Sequence, residues 1–192
     1  MKRREAIKNL AIFTGGAIMF SSGLLVGCNS SEVRIWLSDD DVLLLDEIGE
    51  TIIPKTKECE GAKAAKIGTY MKLMADECLT KKERQIFLVG LTTIEDAARE
   101  KFSTDFMDLK PIQKKELFME MQSQAEKEKK DSIEKSIAII PIHYFQLFKD
   151  LTIHGYFTSE IGITEARRYE AVPGRYNGCI DYKKGDKAWA TS

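Results

Sequence analysis

The chain has 192 residues, 43% of them hydrophobic and 31% charged, with a formal net charge of −1. That balance is too apolar for disorder and sufficient for one domain with its own core. It also excludes bulk phosphate neutralisation, so nucleic acid is not an expected partner.

The N-terminus reads as an address. Lys2, Arg3, Arg4 and Lys8 form a positive segment, followed by an apolar stretch from Leu10 to Val26 that Gly15, Gly16, Ser21, Ser22 and Gly23 dilute. Positive charge stays cytoplasmic while the apolar run enters the membrane, so residues 1–27 are expected to be an export signal. Arg3-Arg4-Glu5-Ala6-Ile7-Lys8 resembles the twin-arginine signal, although Ala6 stands where an aromatic is usual; general export is the alternative. Leu25-Val26-Gly27-Cys28 resembles a lipobox, whose small residues admit the processing enzyme and whose thiol carries acyl chains. The expectation is a lipoprotein that begins at Cys28 and faces the periplasm or cell envelope, anchored at ~0.8 kcal/mol per buried methylene. The competing reading is an uncleaved anchor helix, for which about 17 diluted apolar residues is the bottom of the spanning range.

Residues 28–38 read as a tether, and 39–192 as one helical domain. Ser38-Asp39-Asp40-Asp41 is a helix start, with a capping hydroxyl and carboxylates set against the positive end of the helix dipole. Leu45, Ile48 and Ile52 give that helix one apolar face, and Pro54 ends it. A second helix is expected from Gly61, carrying Ile67, Met71, Met74 and Cys78. Thr80-Lys81-Lys82-Glu83 is a capping box that opens a third, with Phe87, Leu91, Ile94 and Ala98 spaced at three and four. Pro111 suits the first turn of a fourth, which buries Phe118, Met121 and Ala125. Glu126 to Lys130 reads as a solvated helix end or surface loop.

Ile137 onward is the most apolar stretch, through Pro141, Tyr144, Phe145, Phe148 and Leu151, and Thr164 is expected to start a last short helix to Tyr169. From Val172 the chain becomes a glycine- and aromatic-rich tail with Tyr176, Tyr182 and Trp189. The expected fold class is all-α, a single small bundle with an extended C-terminal tail.

Little in the sequence carries chemistry. His143 and His154 are eleven residues apart, which on one helix puts them on a shared face but ~16 Å apart, too far for a common metal ion. Asp39 to Asp41 lack the alternate spacing of a calcium loop. No dinucleotide fingerprint, phosphate loop or serine elbow occurs, so neither catalytic nor metal residues are assigned. With Cys28 given to lipid, Cys59, Cys78 and Cys179 allow at most one internal bridge. Cys59 and Cys78 flank the second helix and would lie ~25 Å apart if it is continuous, beyond bridging distance. Cys78 with Cys179 is the preferred pair, tying the tail to the bundle; three reduced, buried thiols are the alternative.

Phe148-Lys149-Asp150-Leu151-Thr152, Gly155-Tyr156-Phe157-Thr158-Ser159-Glu160-Ile161-Gly162 and Pro173-Gly174-Arg175-Tyr176-Asn177-Gly178-Cys179 resemble the gluconate 2-dehydrogenase subunit 3 family. So do Glu50-Thr51-Ile52-Ile53-Pro54 and Gly61-Ala62-Lys63-Ala64-Ala65, with Glu60 where the family pattern has proline. The resemblance spans roughly Leu44 to Trp189. It implies a small, non-catalytic accessory subunit that assists folding, export and membrane association of a large flavoprotein. That partner would be a glucose-methanol-choline type dehydrogenase holding FAD and oxidising a sugar or sugar acid, often passing electrons to a cytochrome c subunit.

Aromatic and arginine side chains dominate interface energetics, so Tyr156, Phe157, Arg175, Tyr176, Tyr182 and Trp189 are the expected partner contacts. For Tyr156 and Phe157 a place in the domain's own core is the alternative. A free-standing envelope lipoprotein that binds a ligand or acts as a scaffold is the second functional reading.

Overall fold

The computed structural model describes residues 36–137, 141–172, 174 and 178–190. The chain divides into two compact units, 1–33 and 34–192, and only the second falls within these residues. The expected signal with Arg3 and Arg4, the lipidation residue Cys28, and the expected contacts Arg175 and Tyr176 lie outside the described residues.

Among the described residues the second unit has five α-helices: α1 Asp39–Ile52, α2 Ile67–Glu77, α3 Lys81–Phe102, α4 Pro111–Glu134 and α5 Tyr144–Thr158. A short 3-10 turn, Phe106–Asp108, precedes α4, and a π-helical turn, Gly162–Ala166, follows α5. Among the described residues there is no β-strand, only an isolated bridge between Arg168 and Trp189. The all-α reading holds.

Two helix starts follow directly from sequence. Ser38 Oγ accepts from the Asp41 N–H at 3.2 Å while Asp41 Oδ2 accepts from the Ser38 N–H at 2.8 Å. Thr80 and Glu83 repeat the arrangement at α3. Each box satisfies N–H groups that the first turn of a helix leaves without an internal partner. Just before the first box, Leu37 of the expected tether is buried in the core, while Trp36 beside it is exposed.

The second helix starts later than expected, at Ile67 rather than Gly61. Residues 61–66 wind through successive i→i+3 bonds, and Lys66 turns at φ 55° before α2 begins. Carboxylates on α1 hold this arrangement: Asp46 Oδ1 accepts from the Gly68 N–H at 2.7 Å, and Glu50 Oε2 accepts from the Lys63 N–H at 3.0 Å. The charged stretch Glu126 to Lys130 is helical throughout and exposed on all sides.

The core forms around α5, which touches all four other helices. Its Phe145, Leu147, Phe148, Leu151, Thr152 and Tyr156 are buried on one broad side, while Gln146, Asp150, Ile153 and His154, spaced at three and four, form its solvent face. The Thr152 hydroxyl removes its own polarity by donating to the Phe148 carbonyl at 2.7 Å. Phe148 packs on Phe87 of α3 at 4.7 Å between ring centroids, with Leu45, Ile48, Ile67, Met71, Leu91 and Ile94 fully buried in the same cluster.

One cation enters this interior. Lys114 of α4 is 5% exposed, and its Nζ donates to Glu47 Oε1 at 2.8 Å and to the Met107 carbonyl at 3.0 Å. Lys63 reaches the other Glu47 oxygen at 2.8 Å. Burial pushes the Glu47 carboxyl up, but bonds from Lys114 and Lys63 and their charges outweigh it, leaving the group below its ordinary value.

Candidate partner interface

At the C-terminal end of α5 the chain must reverse direction, and its sequence contains the device. Ser159 Oγ donates to the Tyr156 carbonyl at 2.7 Å and accepts from the Gly162 N–H at 3.1 Å. A β-carbon at position 162 would lie 1.9 Å from that same carbonyl, so only glycine lets the π-turn fold back against the helix end.

Tyr156 is 2% exposed, and its hydroxyl donates to the Glu60 carbonyl at 2.6 Å. Burial, joined by neighbouring acidic groups, holds the phenol above its ordinary value, so it stays a neutral donor. It is therefore not a partner contact. Its ring fills the core, and its polar tip fastens the loop between α1 and α2.

Glu165 completes the fastening, accepting from the Glu60 N–H at 2.8 Å and, at its carbonyl, from Cys59 Sγ at 3.4 Å. Proline at position 60 would lack that N–H. The glutamate at this position supplies the bond from loop to π-turn.

Phe157 is half-buried, with its ring edge against Tyr156 and the Arg167 guanidinium 5.2 Å above it. It borders a shallow groove of about 410 Å³ with Ile153, His154 and Arg167. His154 Nδ1 lies 2.6 Å from the Tyr70 hydroxyl.

His143 is not on the helix at all. It is the N-cap of α5, where Nδ1 accepts from the Phe145 N–H at 3.1 Å. Burial pushes its pKa down against the weaker opposing pull of Glu128. Among the described residues, no group of three His, Cys, Asp or Glu side chains is placed to hold a metal ion.

The expected helix from Thr164 to Tyr169 is replaced by the π-turn and extended backbone. At Arg168 the chain meets its own tail: the Arg168 N–H donates to the Ala188 carbonyl at 2.8 Å, and the Ala190 N–H to the Arg168 carbonyl at 2.9 Å. The Arg168 guanidinium covers the Trp189 ring at 4.2 Å, and Lys187 Nζ bonds the Glu165 carbonyl. The described residues between, 169–172, 174 and 178–187, are all exposed and make up the arm that this clasp closes. Tyr169, Val172, Ile180 and Tyr182 are exposed on it, Tyr182 at 76%. Trp189 is the partly covered base of the arm.

Cys78, expected to pair with Cys179, is an exposed free thiol at the C-cap of α2. Sequence reasoning missed Glu165, Arg167 and Arg168, the polar groups that organise this end of the molecule. The adjacent arginines beside an aromatic-rich tail were the available signal for two of them, and nothing in the sequence distinguished Glu165.

Among the described residues no helix is long and apolar enough to cross a membrane. No curated relative and no solved structure matches the chain. The family model for gluconate 2-dehydrogenase subunit 3 matches residues 39–174, which takes in α1 to α5, the clamped loop and the turn after α5. The chain belongs to the gluconate 2-dehydrogenase subunit 3 family.

Proposed function

We propose that the chain is the non-catalytic small subunit of a membrane-associated, flavin-dependent dehydrogenase acting on a sugar or sugar acid. The match to the family over residues 39–174 carries this reading. In it, the chain enters the envelope on residues 1–27, by the twin-arginine route, and is held there by lipid on Cys28. FAD and the substrate pocket belong to the large glucose-methanol-choline type partner, and a cytochrome c subunit receives the electrons.

The small subunit serves by covering partner surface, which assists folding, export and membrane association of the larger chain. Exposed aromatic residues on a clasped arm support that role, because such side chains give large contact area at little entropic cost. Purification of the tagged chain in mild detergent tests the reading. A co-purifying protein with flavin absorbance and dye-linked sugar or sugar-acid oxidation is expected, and a preparation free of any flavoprotein would refute it.

A further inference from the structure

A second surface lies where the last turn of α1 meets α4 and α5. A groove of about 280 Å³ opens there, with Ile52, Phe118, Met119 and Phe145 along its apolar lining and Lys115 and Lys149 at its edge. It runs past Lys115 and Met119 into a shallower depression of about 540 Å³ beside Ile112. Ile112 and Met119, two helical turns apart on α4, are 75% and 63% exposed.

The charges along this strip do not cancel. Glu116 and Glu120 border the shallow end, but both bond Lys101 of α3, at 2.7 and 2.5 Å. Lys115 and Lys149 have no carboxylate partner among the described residues. The narrow part falls below the usual size of a small-molecule pocket, and suits one large side chain better than a cofactor.

Resting on the reading above, we infer that this groove docks a segment of the dehydrogenase partner that presents an apolar side chain flanked by carboxylates. The side chain enters between α4 and α5, and the carboxylates meet Lys115 and Lys149 from opposite walls. Anionic lipid surfaces are met by clusters of about four to eight cations, and two lysines fall short of that. Here the cations sit across a concavity, with carboxylates at its far end.

The test uses the full chain and the flavoprotein that co-purifies with it, titrated at low and at high salt. The K115E/K149E variant is expected to raise Kd about tenfold and to lose most of the salt dependence, because rim charges act through steering and register. Its thermal unfolding stays unchanged, and K115R/K149R keeps wild-type affinity. An unchanged Kd for K115E/K149E would overturn the groove and leave the accessory reading standing. Failure of the wild-type chain to bind any flavoprotein would overturn both. Loss of binding to phosphatidylglycerol vesicles with unaltered flavoprotein affinity would assign the groove to lipid and overturn it too.

Discussion

Glu47 and Lys114 form an ion pair at 2.8 Å across the packing of α1 on α4, and the two ends are not equally dispensable. Among the described residues Lys114 has no second charged partner, only the Met107 carbonyl and the Phe106 ring 5.4 Å away, whereas Glu47 also holds Lys63 at 2.8 Å. Removing one partner of a buried pair costs more than the pair contributes, because the survivor stays desolvated. Glu47→Gln is therefore expected to destabilise by about 3 kcal/mol. Lys114→Met leaves a carboxylate that is still paired and is expected to cost about 1 kcal/mol or less. Denaturant titration of both variants checks the order, and equal losses would contradict it.

The same carboxylate sets an acid limit. Its folded pKa lies below the ordinary 4.5, so its contribution is fully present above that pH and is lost as pH falls through the folded value. Asp46 next to it is shifted the other way, chiefly by burial, and its protonation opposes the loss. The wild type is expected to lose stability below pH 4.5 more steeply than Glu47→Gln, which melting curves over that range would show.

His143 sets a second, milder dependence. Only neutral imidazole can accept from the Phe145 N–H, and the folded pKa lies below 6.5. The unfolded chain therefore takes up the proton first, and stability drops as pH falls from 6.5 towards the folded value. His143→Asn keeps a capping acceptor and is expected to abolish this component, at a change of about 1 kcal/mol or less at neutral pH. A persistent slope in that variant would place the titration elsewhere.

Much of this molecule was legible in the residues. The two capping boxes, Pro111 at the head of α4, and the buried positions Phe87, Leu91, Ile94 and Ala98 all follow from local chemistry and helical spacing. What escaped was whatever depends on a distant side chain. Lys114 is charged and sits in a polar run, so nothing local announces its burial; only Glu47, brought in by another helix, makes it tolerable. Ile67 opens α2 because α1 supplies Glu50 to the preceding loop and Asp46 to the Gly68 N–H in the first turn. Tyr156 was an expected contact because aromatic side chains dominate interfaces, with the core as the alternative, and the acceptor of its hydroxyl, the Glu60 carbonyl, lies far back in the chain.

Glu50 clamps that loop from both ends, with Oε1 accepting from the Lys55 N–H at 2.8 Å and Oε2 from the Lys63 N–H at 3.0 Å. Glu50→Ala releases both, so trypsin is expected to cut at Lys55, Lys57 or Lys63 several-fold faster with little change in global unfolding. A β-carbon at position 61 would lie 2.2 Å from Oε2, so Gly61→Ala is expected to open the clamp in the same way. Unaltered cleavage rates in both variants would show that the clamp does not hold the loop.

The Arg168–Trp189 clasp is expected to govern the arm and not the bundle. Trp189→Ala removes the ring under the guanidinium and should speed amide exchange at Arg168 and Ala190 while leaving the melting temperature within about 2 °C. It should also weaken capture of the flavoprotein. Undiminished capture with a loosened arm would exclude the arm from the interface.

A larger redox partner is expected to depend on this chain to reach the envelope. The direct measurement compares cells with and without the gene, assaying flavoprotein amount and dye-linked sugar or sugar-acid oxidation in envelope and cytosolic fractions. Envelope activity should vanish in the deletion strain and return with wild-type protein, but return in soluble form with Cys28→Ala. A flavoprotein that reaches the envelope in undiminished amount and activity without the chain would contradict it.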